Sequence, residues 1–408
     1  MKDLKLYLKR GKEESLGRFH PWVFSGAVQR MEGEPEEGDV VSVYTADGSY
    51  VAKGHWQVGS IALRVLTFGS EAIDARFWEE RLRAAWNVRE AIGVVRSDND
   101  VYRLVHGEGD FLPGLVIDLY GELAVVQAHS VGMHRDRMMI TEALVRVMNG
   151  RLKAVYYKSE TTLPFKADLH QENGFLWVEG EEDPNRAGAE IPIDKKGHVA
   201  TENGLRFRID WYHGQKTGFF VDQRDNRALV ERYSKGRKVL NMFCYTGGFS
   251  VYAMRGGATL VHSVDSSAKA VELASANVAL NFPGDGRHEA FARDAFDFLD
   301  GMQESYDMVI LDPPAFAKHK DALVRALKGY TKLNARAMSK MPSGSILFTF
   351  SCSQAVSKEQ FRTAVFTAAA IARRKVRILH QLHQPADHPV NIYHPEGEYL
   401  KGLVLYVE

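Results

Sequence analysis

The chain has 408 residues, with 52 Lys and Arg against 52 Asp and Glu and a formal net charge of zero. That length exceeds one ordinary core and predicts two or three domains, while the balanced charge argues against a general polyanion binder, whose mark is a basic excess. No apolar run reaches the ~20 residues of a bilayer crossing, no signal-peptide pattern opens the chain, and two cysteines, Cys244 and Cys352, cannot build a disulfide framework and read as free thiols of a reducing cytoplasm.

Residues 1–30 hold seven basic against three acidic side chains, a local balance of +4, which the acidic turn Glu32, Glu34, Glu36, Glu37 and Asp39 reverses. Short strands follow. Residues 38–44 alternate, Asp47-Gly48 signals a turn, and runs at 50–54 and 61–66 complete a spacing that predicts a small β-barrel over 1–69. The pattern then changes. Phe77, Leu82, Ala85 and Ile92 recur near helical spacing within 74–93. Strands are predicted at 101–104, 115–119 and 123–128, a helix at 134–148 and a strand at 154–158, so 70–188 reads as a small α+β domain. The polar run 179–186 marks a boundary, and strands near 190–192 and 205–211 lead into the third domain, 189–408.

From Arg237 strands and helices alternate. A strand at 238–243 runs into Thr246-Gly-Gly248 and a helix to 254. A strand at 259–264 ends on Asp265, with a helix over 268–280, and a strand at 289–293 ends on Asp294. A strand at 306–311 ends on Asp312-Pro-Pro314, a helix lies near 321–339, and a strand at 345–350 ends on Ser351-Cys352-Ser353. This alternation predicts an α/β, doubly wound, mostly parallel Rossmann-like sheet. Ligands of such sheets bind beyond the carboxyl ends of the strands, where Asp265, Asp294, Asp312 and Cys352 all fall.

Glycines at 247 and 248 let a ligand approach the backbone closely. Asp265 can accept from both ribose hydroxyls; the competing reading is a helix cap, a role for which Ser266 also competes. The turn 245–248 lacks the G-x-G-x-x-G spacing that seats a pyrophosphate, whereas a sulfonium such as S-adenosylmethionine needs no phosphate cradle. Asp294 is placed to meet an adenine amino group, or to cap a helix. In Asp312-Pro313-Pro314-Ala315-Phe316, two prolines fix an extended turn that holds Asp312 and projects Phe316 to stack on a flat base; the alternative puts Phe316 in the core. Carbon-5 of cytosine accepts a methyl group only after a nucleophile adds to C6. A Cys352 thiolate at a strand end supplies that nucleophile, with Asp312 hydrogen-bonding N3 of the base. Cys244, inside the glycine turn, reads as structural.

Taken together, 215–227 (Gln-Lys-Thr-Gly-Phe-Phe-Val-Asp-Gln-Arg-Asp-Asn-Arg), 239–249 (Val-Leu-Asn-Met-Phe-Cys-Tyr-Thr-Gly-Gly-Phe), 312–316, 350–353, 386–389 and 395–402 resemble the ribosomal RNA large subunit methyltransferase I family, which forms 5-methylcytosine in 23S rRNA. The resemblance spans essentially the whole chain. It implies an RNA-binding PUA domain over 1–69 and an S-adenosylmethionine site at Gln223, Asn241, Phe243, Tyr245, Gly247, Asp265, Asp294 and Asp312. It further implies a target-base contact at Pro313, Pro314 and Phe316, Cys352 as nucleophile with Asp312 beside it, and no metal. Large-subunit rRNA, free or partly assembled, is the implied partner, and a homodimer is the base-rate expectation. One departure stands out: many RNA cytosine-C5 methyltransferases carry a second cysteine in the Asp-Pro loop, and none stands at 313–316. The competing readings are a base-nitrogen methyltransferase that uses the Asp-Pro-Pro loop without a cysteine, a non-catalytic rRNA-binding assembly factor, and a small-molecule methyltransferase, which leaves the N-terminal barrel without a role.

Overall fold

The computed structural model describes residues 4–164, 169, 172–185, 191–195, 197–317 and 320–408. Two units emerge: Met1–Ala200 with Ile209–Phe219 and Ala386–Gly397, and Thr201–Arg208 with Phe220–Pro385 and Glu398–Glu408.

In the first unit the alternating runs become Val40–Tyr44, Tyr50–Trp56 and Ile61–Thr67, joined by Lys5–Leu8, Trp22–Phe24 and Val28–Glu32 in a curled six-stranded half-barrel. Alternation puts Leu6, Leu8, Val41, Val43, Leu63 and Val65 on one side, where they form its core. A five-stranded sheet follows, in the order Gly174–Val178, Ala154–Tyr157, Leu123–Ala128, Leu115–Tyr120 and Val101–His106. Helix Ala75–Ala91 packs on the helix Arg137–Met148 beside it, and Asp74 caps the former by accepting from Phe77 N at 3.0 Å. The helix expected over 134–148 is broken at Asp136, which separates Val131–Arg135 from Arg137–Met148. Its carboxylate lies 3.0 Å from His55 Nε2.

The segment Ala386–Gly397 completes this unit. Arg89, fully buried, pairs with Asp110 and donates from Nη2 to Asp387 O at 2.7 Å, while Arg103 N donates to Asp387 Oδ2 at 3.0 Å.

The strand expected near 190–192 is not formed at 191–192, and residue 190 lies outside the described residues. Pro192 has no amide to donate to a ladder. Val199–Glu202 pairs instead with Leu205–Arg208.

The second unit is built on strands β1 (Lys238–Met242), β2 (Leu260–Asp265), β3 (His288–Ala292), β4 (Met308–Leu311), β5 (Ser345–Ser351), β6 (Val376–Leu382) and β7 (Lys401–Val407), in the spatial order β3-β2-β1-β4-β5-β7-β6. The first five run parallel, and β7 is antiparallel to both β5 and β6. The helices are α1 (Arg224–Tyr233), α2 (Gly248–Arg255), α3 (Ala268–Asn281), α4 (Ala295–Asp300), α5 (Leu323–Lys340) and α6 (Lys358–Ile371). Leu240, Met242, Val264, Val309, Leu311 and Leu347 from the strands pack with Tyr330, Leu333, Phe361 and Val365 from α5 and α6 in one core. Buried on both faces, β1, β4 and β5 read as near-continuous apolar runs. Register places Met242 opposite Leu311, Leu311 opposite Thr349 and Asp265 opposite Ala292, so the ends that carry the acidic residues and Cys352 share one edge. Among the described residues no helix is long and apolar enough to cross a membrane.

Candidate active site

The turn after β1 is strained where a ligand would approach. Phe243 (φ 60°) and Tyr245 (φ 45°) are both left-handed, a conformation that costs non-glycine residues and that collects at functional sites. Gly247 has φ 73°, and a Cβ there would lie 2.8 Å from Ala274 Cβ and 2.9 Å from its Cα. Only glycine lets this turn lie against α3. Asp265 braces the same turn: Oδ2 accepts from Tyr245 N at 3.0 Å and Oδ1 from Ser267 N at 2.9 Å. It is not the helix cap. That role falls to Ser267, whose hydroxyl accepts from Ala270 N, and not to Ser266.

Asn241 sits one turn deeper. It is fully buried within β1 and donates to Ser250 Oγ at 2.9 Å, fastening α2 to the strand. Asp294 is exposed and caps α4, its Oδ1 accepting from Phe296 N at 2.8 Å and Asp297 N at 3.2 Å. The structure therefore brings Phe243, Tyr245, Gly247 and Asp265 together in one turn, with Asn241 beneath it and Asp294 on the neighbouring strand end.

Asp312 ends β4 and meets Gln223, whose Nε2 donates to Oδ2 at 3.1 Å. Asn226, which sequence reasoning missed, sets Gln223 by donating to its Oε1 at 2.6 Å from the next turn of helix. Arg227 clamps α1 through a buried pair with Glu202, at 2.8 and 2.6 Å, and donates to Phe220 O at 2.9 Å.

Pro313 is buried and Pro314 exposed. Phe316 is partly buried. Its ring lies 4.7 Å from Tyr330 and packs against α5 at Gly329, where even a methyl group would come within 3.0 Å of it.

The Asp312 loop and the Cys352 turn are tied directly. Ser353 Oγ accepts from Ala317 N at 3.1 Å and donates to Ala317 O, while Ser351 Oγ donates to Tyr330 OH at 2.9 Å. Cys352, half-buried between these two serines, therefore sits in a turn locked to the Asp-Pro loop. Cys244 is different. Burial, helped by the charge of Asp265, pushes its thiol well above the ordinary cysteine range, so it stays a protonated packing group. A groove of about 1010 Å³ between α5 and α6, lined by Val324, Leu327, Thr331, Thr363 and Ile371, contains none of these residues.

Residues 190–390 match a family model described as S-adenosylmethionine-dependent methyltransferase, and residues 6–68 match a PUA-like domain. Over the full length the chain is 40% identical to the ribosomal RNA large subunit methyltransferase I of Tolumonas auensis, covering 98% of both chains. It is 38% identical to that of Escherichia coli, covering 99% of this chain and 100% of the relative. The chain belongs to the ribosomal RNA large subunit methyltransferase I family. It is an S-adenosylmethionine-dependent methyltransferase with an N-terminal PUA-like domain. The fold agrees: a SAM-dependent methyltransferase from Streptococcus mutans superposes with a TM-score of 0.81 at 21% identity, covering 98% of this chain and 99% of that one. A second solved methyltransferase, complexed with SAH, gives 0.82 at 22% identity over the same shares. The residues of this family member suit such a cofactor: a glycine that no side chain can replace, and a braced carboxylate at the edge where a cation and ribose hydroxyls need acceptors.

Proposed function

We propose that the protein methylates carbon-5 of a cytosine in large-subunit (23S) ribosomal RNA through a covalent bond from Cys352 to C6 of the base. The observation that carries this is the tie between the Cys352 turn and the Asp312 loop through Ser353 and Ala317, at the sheet edge where Asp265 and Gly247 stand. A nitrogen target needs no thiol there.

S-adenosylmethionine, when bound, supplies the methyl group. Gly247, Tyr245 and Phe243 offer it a close backbone surface, Asp265 offers carboxylate oxygen to ribose hydroxyls, and Asp294 uses the oxygen not engaged in capping for the adenine amine. Gln223 and Asp312, hydrogen-bonded to one another, complete the cofactor side. Cys352 Sγ bonds to C6 of the cytosine, a protonated Asp312 carboxyl donates to N3, and the π electrons displaced from the C5–C6 bond make C5 a carbon nucleophile. Once C5 carries its methyl group, a base removes the C5 proton, the electron pair reforms the double bond, and the Sγ–C6 bond breaks to return the thiolate. Pro313 and Pro314 keep the Asp312 loop extended through these steps. Residues 1–69 are the RNA-binding module, 70–188 the central domain and 189–408 the transferase, working in the cytoplasm on rRNA whose target base is free to leave its stack.

Bisulfite mapping of 23S rRNA treated with wild type or Cys352→Ala tests the reading. New 5-methylcytosine with wild type alone supports it, and a Cys352→Ala variant that methylates fully rules the covalent route out.

A further inference from the structure

Lys401 is the residue of β7 that faces Ser351 across the antiparallel ladder. Its side chain is 6% exposed, and Nζ donates to the carbonyls of Ser353 and Val356, 2.6 Å each. Lysines this deeply buried are rare without an anionic partner, because an ammonium loses hydration that neutral dipoles restore only in part. The acid on the same segment, Glu398, is engaged by Lys358 of α6 on the exposed side. From α5, Tyr330 is held protonated by burial and bonds to Ser351. Asp312, on the tied loop, accepts from Gln223.

The two carbonyls that Lys401 holds bracket the turn directly after Cys352, which Val356 N closes onto Ser353 O at 3.2 Å. Lys401 thus meets the residues on both sides of Cys352, pairing with Ser351 and donating to Ser353 O. Burial pushes Lys401 down to about 8, and a negative charge at Cys352 is the largest influence opposing that fall.

We propose that Lys401 is a positioning residue for the nucleophile: its ammonium fixes the 353–356 turn and, by its charge, keeps Cys352 a thiolate near neutral pH. The inference rests on Cys352 being the nucleophile. A thiol attacks as its thiolate, and an ordinary cysteine is mostly protonated at pH 7, with a pKa near ~8.5. An opposite charge within a few ångströms lowers such a pKa by about 1–3 units. The effect is mutual, since a thiolate charge opposes the desolvation of the buried Lys401.

The test is the pH dependence of iodoacetamide alkylation at Cys352 in the full-length protein, read by mass spectrometry of its peptide. Wild type should titrate at least about one unit below ~8.5. Lys401→Gln, which can still donate to a carbonyl but carries no charge, should move the midpoint up by about one unit or more, and Lys401→Arg should recover part of the shift. Methyl transfer by Lys401→Gln should approach wild type as pH rises, whereas loss of the loop staple alone would lower it equally at every pH. A wild-type midpoint at or above ~8.5 overturns the proposal whatever the variants do, and so does a folded Lys401→Gln protein with an unshifted midpoint. Failure of the covalent reading shows elsewhere, as a Cys352→Ala enzyme that still methylates, while the alkylation midpoint continues to report on the lysine and the thiol.

Discussion

Replacing Ser353 with alanine removes one hydroxyl and leaves every proposed cofactor contact in place. That hydroxyl is the acceptor for Ala317 N at 3.1 Å and a donor to Ala317 O. Ala317 is 1% exposed, so water cannot take over either bond. A buried donor left without a partner costs about 1–3 kcal/mol, which sets the expected loss in a urea titration. The catalytic effect should be larger than the stability effect suggests. Freed from Ser353, the Asp312 loop keeps its Gln223 bond and the Phe316 packing but loses its direct tie to the Cys352 turn, and a drift on the order of 1 Å between Asp312 and Cys352 lowers the chemical step by up to about 100-fold. Single-turnover methyl transfer to an rRNA fragment at saturating S-adenosylmethionine should therefore slow by about 10- to 100-fold. Calorimetric S-adenosylmethionine binding should be unchanged, because Gly247 and Asp265 are untouched. Wild-type single-turnover rates in a folded Ser353→Ala protein would refute the idea that this tie aligns the two loops.

Gly247→Ala forces a left-handed alanine into Ala274, and should lower stability by about 2–5 kcal/mol from backbone strain and overpacking together while abolishing S-adenosylmethionine binding in calorimetry. Arg227→Met strands the Glu202 carboxylate, which is fully buried, and should cost about 3–5 kcal/mol in chemical denaturation. Cys244→Ser should leave methyl transfer intact, and the native protein should resist alkylation at Cys244 across the range in which Cys352 reacts. Burial lowers His288 to about 4, so the folded state stays neutral where the unfolded chain, at ~6.5, takes up a proton. Its contribution is present above pH ~6.5 and is lost as pH falls toward 4, so His288→Gln should flatten the fall of the urea midpoint over that window.

The strand ends were legible in the sequence because parallel strands buried on both faces are apolar runs, and the polar residue that stops each run stands at the ligand edge. Asp265, Asp312 and Cys352 stand at the strand ends where that rule puts them. The elements missed lack that contrast. Helix α1 buries Arg224, Asn226 and Arg227 on its inner side, so its pattern is polar against polar, and Asn226 escaped with it. Helix α6 did carry a signal, the capping box of Ser357 and Gln360, which a search for caps would have caught. The packing beside Phe316 was not legible, because a local motif says nothing of what lies over it: Gly329, thirteen residues on, makes space for one face of the ring. Ser267 outranks Ser266 as a cap because Asp265 already holds the Ser267 amide. Lys401 stands in the stretch 395–402 that carries the resemblance, with no role read for it; its depth is fixed by the ladder pairing with β5, a long-range fact.

The segment Ala386–Gly397 belongs to the first unit although it lies between β6 and β7 of the second. For a chain made from its N-terminus, this sets an order of completion. Arg89 can meet Asp110 early, but its bond to Asp387, and that of Arg103 N, must wait until nearly the whole polypeptide has left the ribosome. A nascent chain halted anywhere in the transferase sheet before β7 therefore carries an unfinished first unit, and neither unit can be cut out as one continuous stretch of gene.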